Sequence, residues 1–175
     1  SDILYEIPSS VRLIAEYAFE GATSLNSVIL PNSIEEISGC AFIGCNRLDS
    51  INIPQSVISI GKNAFAYCTS LKAVTIQPSI TSISPNVFFR CSALTSISIP
   101  SSIEAIGNHA FTYCLELDSI KTTRSIPLEL VPEEDYFMDV DMSSCTLYVP
   151  EGSSSNYRAS AHWGNFINIV EYSFK

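Results

Sequence analysis

The stretch "AFIGCNRLDSINIP", residues 41–54, decides the fold because the chain repeats it. It returns as "AFAYCTSLKAVTIQ" at 64–77, as "VFFRCSALTSISIP" at 87–100 and as "AFTYCLELDSIKTT" at 110–123. An earlier copy, "AFEGATSLNSVILP", lies at 18–31. A phenylalanine, a leucine and aliphatic residues keep their places in every copy, so one structural unit recurs along the chain.

The copies follow one another at steps of 23 residues, without an insertion, between residues 8 and 122. Three columns of equivalent residues show the register: Val11, Ile34, Val57, Ile80 and Ile103; Phe19, Phe42, Phe65, Phe88 and Phe111; Leu25, Leu48, Leu71, Leu94 and Leu117. Such regularity indicates a solenoid, in which each coil stacks on its neighbours. We therefore predict five full repeats over 8–122, with equivalent residues about 4.8 Å apart in adjacent coils.

Each unit combines two strand signals with a turn. The segment L-x-x-[IV]-x-[IL] ends in the apolar/polar alternation of a strand that buries one face. The segment S-[IV]-x-x-I predicts a second, shorter strand. The "AFxxC" between them is too short for a helix and predicts a turn or one turn of 3₁₀ helix. The fold class is therefore a mostly β solenoid of short strands and turns.

This unit resembles the BspA-like leucine-rich repeats, whose units read roughly "LxxIxIPxxVxxIgxxAFxxCxx". The resemblance covers about two-thirds of the chain, and the departures are Ala22 for Cys, Gln77 for Pro and Val87 for Ala. It implies a right-handed leucine-rich-repeat stack of 23-residue coils. It also implies an extracellular or cell-surface bacterial protein that acts in adhesion, although no signal segment is visible in this sequence.

The start of the chain extends the repeat pattern. Residues 3–7, "ILYEI", align with the main strand of a preceding unit, so we predict a partial first coil at 1–7 and one solenoid over 1–122. Solenoids need polar caps at their ends, and this start offers none. We therefore expect further repeats, or another segment, upstream in the natural protein.

After Thr122 the register breaks, and 123–175 is interpreted as a degenerate repeat followed by a C-terminal α/β cap. Phe137 is expected to take the place of the ladder phenylalanine in the expanded unit "IPLELVPEEDYFMDVDMSSC", residues 126–145. "GSSSNYRASAHW", residues 152–163, predicts a short helix with a serine N-cap and Gly164 just past its end. "TLYVP" and "FINIVEY" predict strands, and Trp163 and Phe166 are expected to seal the last coil. The ending resembles the cap of the same family.

Charge narrows the range of partners. The 175 residues carry a net charge of -9, and the nine basic residues are spread singly. Nucleic acids and anionic membrane surfaces need clustered positive charge, so neither is predicted as a partner. No apolar run has the length needed to insert into a bilayer. A host or bacterial surface protein or glycan remains, and the oligomeric state is left open.

The recurring cysteine is predicted to be a packing residue. Sulfurs in a line at coil spacing cannot surround one zinc ion, and parallel side chains disfavour disulfides. The thiols are expected to fill the core as small apolar groups, and no metal or cofactor is predicted. Cys40 and Cys145, which lie off the column, are expected to be partly exposed. The column consists of Cys45, Cys68, Cys91 and Cys114.

An acidic segment lies within residues 129–141. Clustered carboxylates suit a calcium ion, but the spacing does not match the EF-hand loop. A solvated loop is the favoured interpretation, and the calcium alternative stays open.

The first candidate binding surface is an aromatic edge. Tyr67, Arg90 and Tyr113 occupy the same position in three consecutive coils, and Phe89 stands beside Arg90. A Tyr-Arg-Tyr stack would gain cation–π contacts and could hold a sugar or a protein partner. The alternative is that these side chains simply cover a turn.

The second candidate is the outward face of the main strands, which we call the strand face. It is small, polar and flat, as suits an extended contact surface. The alternative is that its hydroxyls simply keep the sheet soluble. Its candidate residues are Ser50, Asn52, Thr75, Ser96 and Ser98.

Catalytic signals are missing from the sequence. His109 falls in a variable column that we expect to be exposed, and His162 falls in the cap. Neither histidine has a nucleophile and an acid at recognisable spacing. We therefore predict no enzyme but a binding or adhesion module. The alternative is a structural spacer that holds another domain away from the cell surface.

Overall fold

The computed structural model describes residues 3–173, which form a solenoid of about seven coils. The predicted units 1–7 and 123–175 extend at their ends into Ser1, Asp2, Phe174 and Lys175, which lie outside the described residues. Each coil contributes one strand to a parallel main sheet, as the predicted fold class requires. The strands, in their order across the sheet, are Ile3–Glu6, Leu25–Ile29, Ser50–Ile51, Ala73–Thr75, Ser96–Ile99, Ser119–Thr122, Thr146–Pro150 and Asn168–Tyr172.

The strands pair in the predicted register. Val74 pairs with Ile97, and Ile97 pairs with Ile120, each one repeat further along the chain. The first coil aligns as expected, with Tyr5 opposite Val28. The alternation also holds, because Val74, Ile97 and Ile120 are buried while their neighbours along the strands face outward.

The shorter strands form a second, interrupted parallel ladder. They are Leu13–Ile14, Glu36–Ile37 and Ser59–Ile60 in one sheet, and Ser82–Ile83 and Ala105–Ile106 in another. Between the two sheets, the Ser84 hydroxyl donates to the Ile60 carbonyl at 2.5 Å. One coil earlier, the carbonyl equivalent to that of Ile60 is the Ile37 carbonyl. It accepts a hydrogen bond from the backbone N–H of Gly61. The break coincides with the irregular Gln77, whose side chain donates to the Ile53 carbonyl at 2.8 Å.

A ladder of stacked phenylalanines runs through the core. Neighbouring rings from Phe19 to Phe111 lie 5.0 to 5.9 Å apart, centroid to centroid, with their planes within 17°. Phe137 continues the ladder at 5.5 Å from Phe111, as predicted for the expanded coil. Trp163 and Phe166 close the stack edge-on against Phe137, and both are buried. The identical residues therefore meet as the repeat requires.

The column cysteines are buried, and each thiol also has a hydrogen-bond acceptor. Cys68 donates to the Phe42 carbonyl at 3.2 Å, and Cys91 donates to the Phe65 carbonyl at 3.1 Å. Cys45 and Cys114 repeat the contact with Phe19 and Phe88. All six cysteines are free thiols. The thiols therefore fill the core and also tie each coil to the preceding one, a directional contact that packing arguments did not anticipate.

The expectation for the two remaining cysteines was wrong. Cys40 is 8% exposed and Cys145 is fully buried. Cys40 lies beside Asn63 of the next coil, whose amide nitrogen is 3.8 Å from its sulfur. Cys145 directly precedes the strand Thr146–Pro150 and belongs to the core cluster.

The cap has the predicted α/β character, but its helix is shorter than expected. The helix runs Ser154–Ala159, and a separate 3₁₀ turn at Trp163–Asn165 contains Gly164. Ser153 is the N-cap residue, yet its hydroxyl bonds to the Pro150 carbonyl and not to a helix N–H. Gly164 is needed there because an added Cβ would lie 2.6 Å from the Arg158 carbonyl oxygen.

The thiol column predicts a loss of stability in alkali. Burial raises the pKa of Cys45 to about 11 and that of Cys114 to about 12, and it raises the pKa of Cys68 further. An unfolded thiol ionises near pH 8.5. Above that pH the unfolded state therefore releases protons that the folded state retains, and the free energy of unfolding falls. Each thiol should contribute about 1.4 kcal/mol per pH unit.

Urea unfolding of the wild type and of Cys68→Ala, measured from pH 8 to 10.5, tests this expectation. The Cys68→Ala protein should show a shallower decline than the wild type, although it starts from a lower stability at pH 8. Leu71→Ala, which also truncates a buried column residue, should lose stability without changing the slope. Equal slopes for the wild type and Cys68→Ala would contradict the role assigned to the thiol.

Close stacking of the coils predicts that Gly61→Ala is destabilising. A Cβ at Gly61 would lie 2.3 Å from the Gly39 nitrogen and 2.7 Å from the Gly39 Cα, so backbone would have to move. We expect a loss of about 1–3 kcal/mol in denaturant unfolding. Ser38→Ala, the same position one coil earlier, should change stability little, and a similar loss in both variants would contradict the argument.

Candidate functional site

The aromatic edge occupies a backbone position with a left-handed conformation. One residue per coil, two positions after the ladder phenylalanine, has a positive φ. The column is Gly21 (61°), Gly44 (73°), Tyr67 (62°), Arg90 (59°), Tyr113 (61°) and Asp139 (60°). Glycine adopts this conformation at little cost, whereas a bulky side chain does so rarely. The first two full repeats thus have the favoured residue, and the next four coils do not.

Stacking of the coils fixes this conformation. The backbone N–H of Tyr67 donates to the Phe89 carbonyl at 2.8 Å, and the N–H of Arg90 donates to the Thr112 carbonyl at 2.9 Å. The N–H of Tyr113 donates to the Met138 carbonyl at 2.9 Å. Since each bond joins one coil to the next, the left-handed corner persists whatever side chain it carries.

The structure brings all four residues of the aromatic edge together. The Arg90 guanidinium carbon lies 4.4 Å from the Tyr113 ring centroid, 5.7 Å from that of Phe89 and 5.9 Å from that of Tyr67. Phe89 meets Tyr67 edge-on at 5.5 Å and Tyr113 edge-on at 5.6 Å. Tyr67 and Arg90 are exposed, and Phe89 and Tyr113 are half-buried. The four side chains form one surface of three rings around a cation.

His109 also belongs beside this surface, which sequence reasoning missed. Its ring meets Phe89 edge-on at 6.5 Å, and its Nδ1 lies 3.2 Å from the Thr112 hydroxyl. The expectation of an exposed residue was wrong, because the side chain is half-buried in the turn. The feature that places His109 here is a second left-handed position in each repeat. The residues at this position are Tyr17, Cys40, Asn63, Asn86 and His109.

The strand face lies outward on the main sheet, as its pattern predicted. Ser50, Asn52 and Thr75 are exposed, and Ser96 and Ser98 are half-buried. Two shallow grooves, of about 460 and 380 Å³, follow the face. Within residues 3–173, no hydrogen bond or ring contact joins it to the aromatic edge, so these are two separate surfaces.

A tyrosine wall at one end of the strand face was not predicted. Tyr148 and Tyr172 line the larger groove together with Lys121, whose Nζ lies 4.3 Å from the Tyr172 ring centroid. The Tyr172 hydroxyl donates to the Thr122 carbonyl at 2.9 Å, and burial raises its pKa. The register that places Tyr148 opposite Lys121 crosses the expanded coil, so no 23-residue step could locate it.

The acidic segment uses part of its charge internally. The Asp141 carboxylate accepts hydrogen bonds from Ser143 and Ser144, and these bonds lower its pKa. Glu134 accepts the Tyr136 hydroxyl at 2.8 Å. Over the described range 3–173, no three His, Cys, Asp or Glu side chains are grouped so as to hold a metal ion.

The described residues also contain no helix that is long and apolar enough to cross a membrane.

Comparison with solved structures shows the same fold in bacterial leucine-rich-repeat proteins. The T. pallidum leucine-rich repeat protein TpLRR is similar over 99% of this chain and 87% of its own, with 24% identity and a TM-score of 0.69. A leucine-rich repeat protein from Eubacterium ventriosum gives 20% identity and a TM-score of 0.66 over the whole of this chain. The pneumococcal vaccine antigen PcpA gives 19% and 0.70 over 99% of this chain.

The chain spans less than half of the last two proteins, 45% and 42% of their lengths. A comparison with curated proteins finds no match. The sequence model of the BspA type leucine rich repeat region matches six copies over residues 4–125, well over half of the chain. This match confirms the resemblance that the repeat unit suggested, and the chain belongs to the BspA-type leucine-rich-repeat family.

Proposed function

We propose that this chain is a non-catalytic binding module of an exported or cell-surface bacterial protein. Its aromatic edge makes the main contact with a protein or glycan. One observation carries the proposal: Tyr67, Arg90 and Tyr113 occupy left-handed positions that Gly21 and Gly44 fill in the first two coils. Their side chains nevertheless form one stack, in which Tyr67 and Arg90 are exposed and Tyr113 is half-buried.

The energetics favour a role outside folding. A left-handed conformation costs a residue with a Cβ about 1 kcal/mol. An exposed cation–π contact returns about 0.5–1 kcal/mol, so the stack does little more than offset its own strain. Gly21 and Gly44 show that the fold needs no side chain at this corner. The stack therefore contributes little to folding, and its cation and rings remain available for contact with a partner.

The chemistry of the buried groups supports a non-catalytic role, as is typical of the repeat family. Burial raises the pKa of the Cys91 thiol well above its ordinary value, so that group stays protonated and unreactive. His109 does reach the Thr112 hydroxyl, but Thr112 is 1% exposed and its hydroxyl also lies 3.4 Å from the Asp135 carbonyl. A substrate therefore has no access to that oxygen.

Burial of the thiols is compatible with placement outside the cell. Exposed thiols oxidise readily in the oxidising environment outside the cell. All six cysteines of this chain are buried, and the four column thiols are hydrogen-bonded to backbone carbonyls. The chain therefore suits an oxidising exterior although it has no disulfide among its described residues.

The strand face is the second candidate contact surface. Its small side chains leave the two grooves open, and the Tyr148 and Tyr172 rings close one end of the larger groove. An aromatic wall beside a polar floor suits an amphipathic ligand. Ser50, Asn52, Thr75, Ser96 and Ser98 would then supply polar contacts along the floor.

A structural spacer is the alternative function, and the unbroken ring ladder favours it. Rings from Phe19 to Phe137 stack at nearly constant spacing, which gives the solenoid one continuous core. A spacer needs this rigidity but does not need the exposed aromatic edge. Binding that depends on the edge therefore discriminates between the two functions.

The double variant Tyr67→Gly/Tyr113→Gly tests the proposal. Glycine relieves the left-handed strain while it removes two of the three rings, so the free energy of unfolding should change by no more than about 1 kcal/mol. We expect the wild-type protein to capture a ligand on an array of host proteins and glycans, and the double variant to lose that capture. Thermal unfolding of both proteins provides the check on folding.

Tyr17→Gly is the matched control, because Tyr17 is an exposed tyrosine with a φ of 59° outside the aromatic edge. It should retain the wild-type binding. Equal capture by the wild type and the double variant would overturn the assignment to the aromatic edge and leave the strand face as the contact surface. No capture by either protein would leave the spacer function.

A further inference from the structure

The Arg90 guanidinium is held in place but its hydrogen-bonding capacity is not used by the protein. Its carbon lies 4.4 Å from the Tyr113 ring centroid, and no hydrogen bond or ion pair joins it to another described residue. A cation–π contact does not satisfy the guanidinium N–H groups with an oxygen acceptor, so these donors remain available. Arg90 therefore presents a fork of donors, fixed in position, toward solvent.

This fork matches an oxyanion that presents two oxygens at the spacing of its donors, as a carboxylate or a phosphate does. Paired N–H donors in a plane fit the two oxygens of a carboxylate, and such bidentate pairs are stronger than neutral hydrogen bonds. In contrast, Arg12 on the same molecule is already paired with Glu35. The surface around Arg90 is otherwise made of ring faces and edges, so a ligand needs an apolar face next to its carboxylate.

The backbone N–H groups of the aromatic edge are not available to an extended peptide. A peptide that adds as a strand is bound through main-chain hydrogen bonds. The N–H groups of Tyr67, Arg90 and Tyr113 are already donated to the next coil. Recognition must come from side chains, which favours a ligand with its own rigid ring over an acidic peptide.

The surrounding charge places the ligand within the edge. Asp139 occupies the next position of the column beyond Tyr113, and its carboxylate disfavours a second negative charge at that end. On the other side the column continues with Gly44, which has no side chain. The anionic group is therefore expected on the Tyr67 side of Arg90, with the ligand extending toward the glycine coils.

We propose that the aromatic edge binds a carboxylate-bearing sugar, with the carboxylate on the Arg90 guanidinium, which packs on Tyr113, and the sugar ring against Tyr67. This proposal rests on the binding function proposed above. A hexuronic acid and a sialic acid both supply the required chemistry. The net charge of -9 opposes polyanions in general, so affinity must come from the local contact with Arg90.

Calorimetric titration of the full chain tests the ligand class. The probes are a galacturonic acid tetrasaccharide, the same tetrasaccharide as its methyl ester, sialyllactose and a peptide of four glutamates. We expect binding of the galacturonate, of sialyllactose, or of both, and at least about tenfold weaker binding of the ester, since loss of a charge-assisted pair weakens affinity on that scale. Binding of the galacturonate or of sialyllactose shows whether the carboxylate comes from a hexuronic acid or from a sialic acid.

Three variants assign the contact. Arg90→Gln should weaken binding of the acidic sugar by about tenfold or more, to the level of the ester. Arg90→Lys should recover part of the loss, because it restores the charge without the fork. Arg12→Gln removes the same charge elsewhere and should leave binding unchanged.

The outcomes separate this inference from the proposed function. One outcome is that neither acidic sugar binds, while a neutral glycan, a protein or the glutamate peptide is captured in a way that depends on Tyr67 and Tyr113. That outcome overturns the ligand class and leaves the binding role intact. If sugar binding survives in Arg90→Gln and also in Tyr67→Gly/Tyr113→Gly, both the ligand assignment and the role of the aromatic edge are overturned. Absence of any binding to the two acidic sugars at millimolar concentration also overturns the inference.

Discussion

Contact between identical residues in adjacent coils is the constraint on which this structure depends. Each ladder phenylalanine buries its ring faces against the rings above and below it, with centroids 5.0 to 5.9 Å apart. The contact forms where the phenylalanine of each coil returns to the same place in the stack, and the constant 23-residue length of the full repeats ensures this. The expanded coil is longer and keeps the contact: Phe137 follows Phe111 after 26 residues and stacks on it at 5.5 Å.

The same constraint converts a reactive residue into an inert one. A thiol that points along the stacking direction meets the carbonyl oxygen of the previous coil, as Cys68 meets Phe42 at 3.2 Å. The sulfur is thereby desolvated and hydrogen-bonded in every coil that carries it. In-register burial, and not the cysteine content of the chain, determines its chemistry.

Most of the fold could be predicted from sequence, because residues that are 23 positions apart lie next to each other in adjacent coils. Phe42 and Phe65, or Val74 and Ile97, meet as that step requires. The same step predicts the contact between Tyr67, Arg90 and Tyr113, and their side chains do meet. Prediction failed where the step fails or is silent. The register of Tyr148 crosses the expanded coil, and the burial of Cys40 and His109 depends on turn geometry, which a residue pattern does not encode.

The left-handed corner makes the surface chemistry of this protein independent of its interior. A side chain at that corner points away from the stacked core. Substituting it therefore changes the surface of the solenoid without repacking the core. Gly21 and Gly44 are two such places that carry no side chain, and a Cβ at Gly21 would meet no atom within 4 Å. Two further display sites are therefore available to an engineer, who could lengthen the recognition surface by one residue per coil at about 1 kcal/mol each.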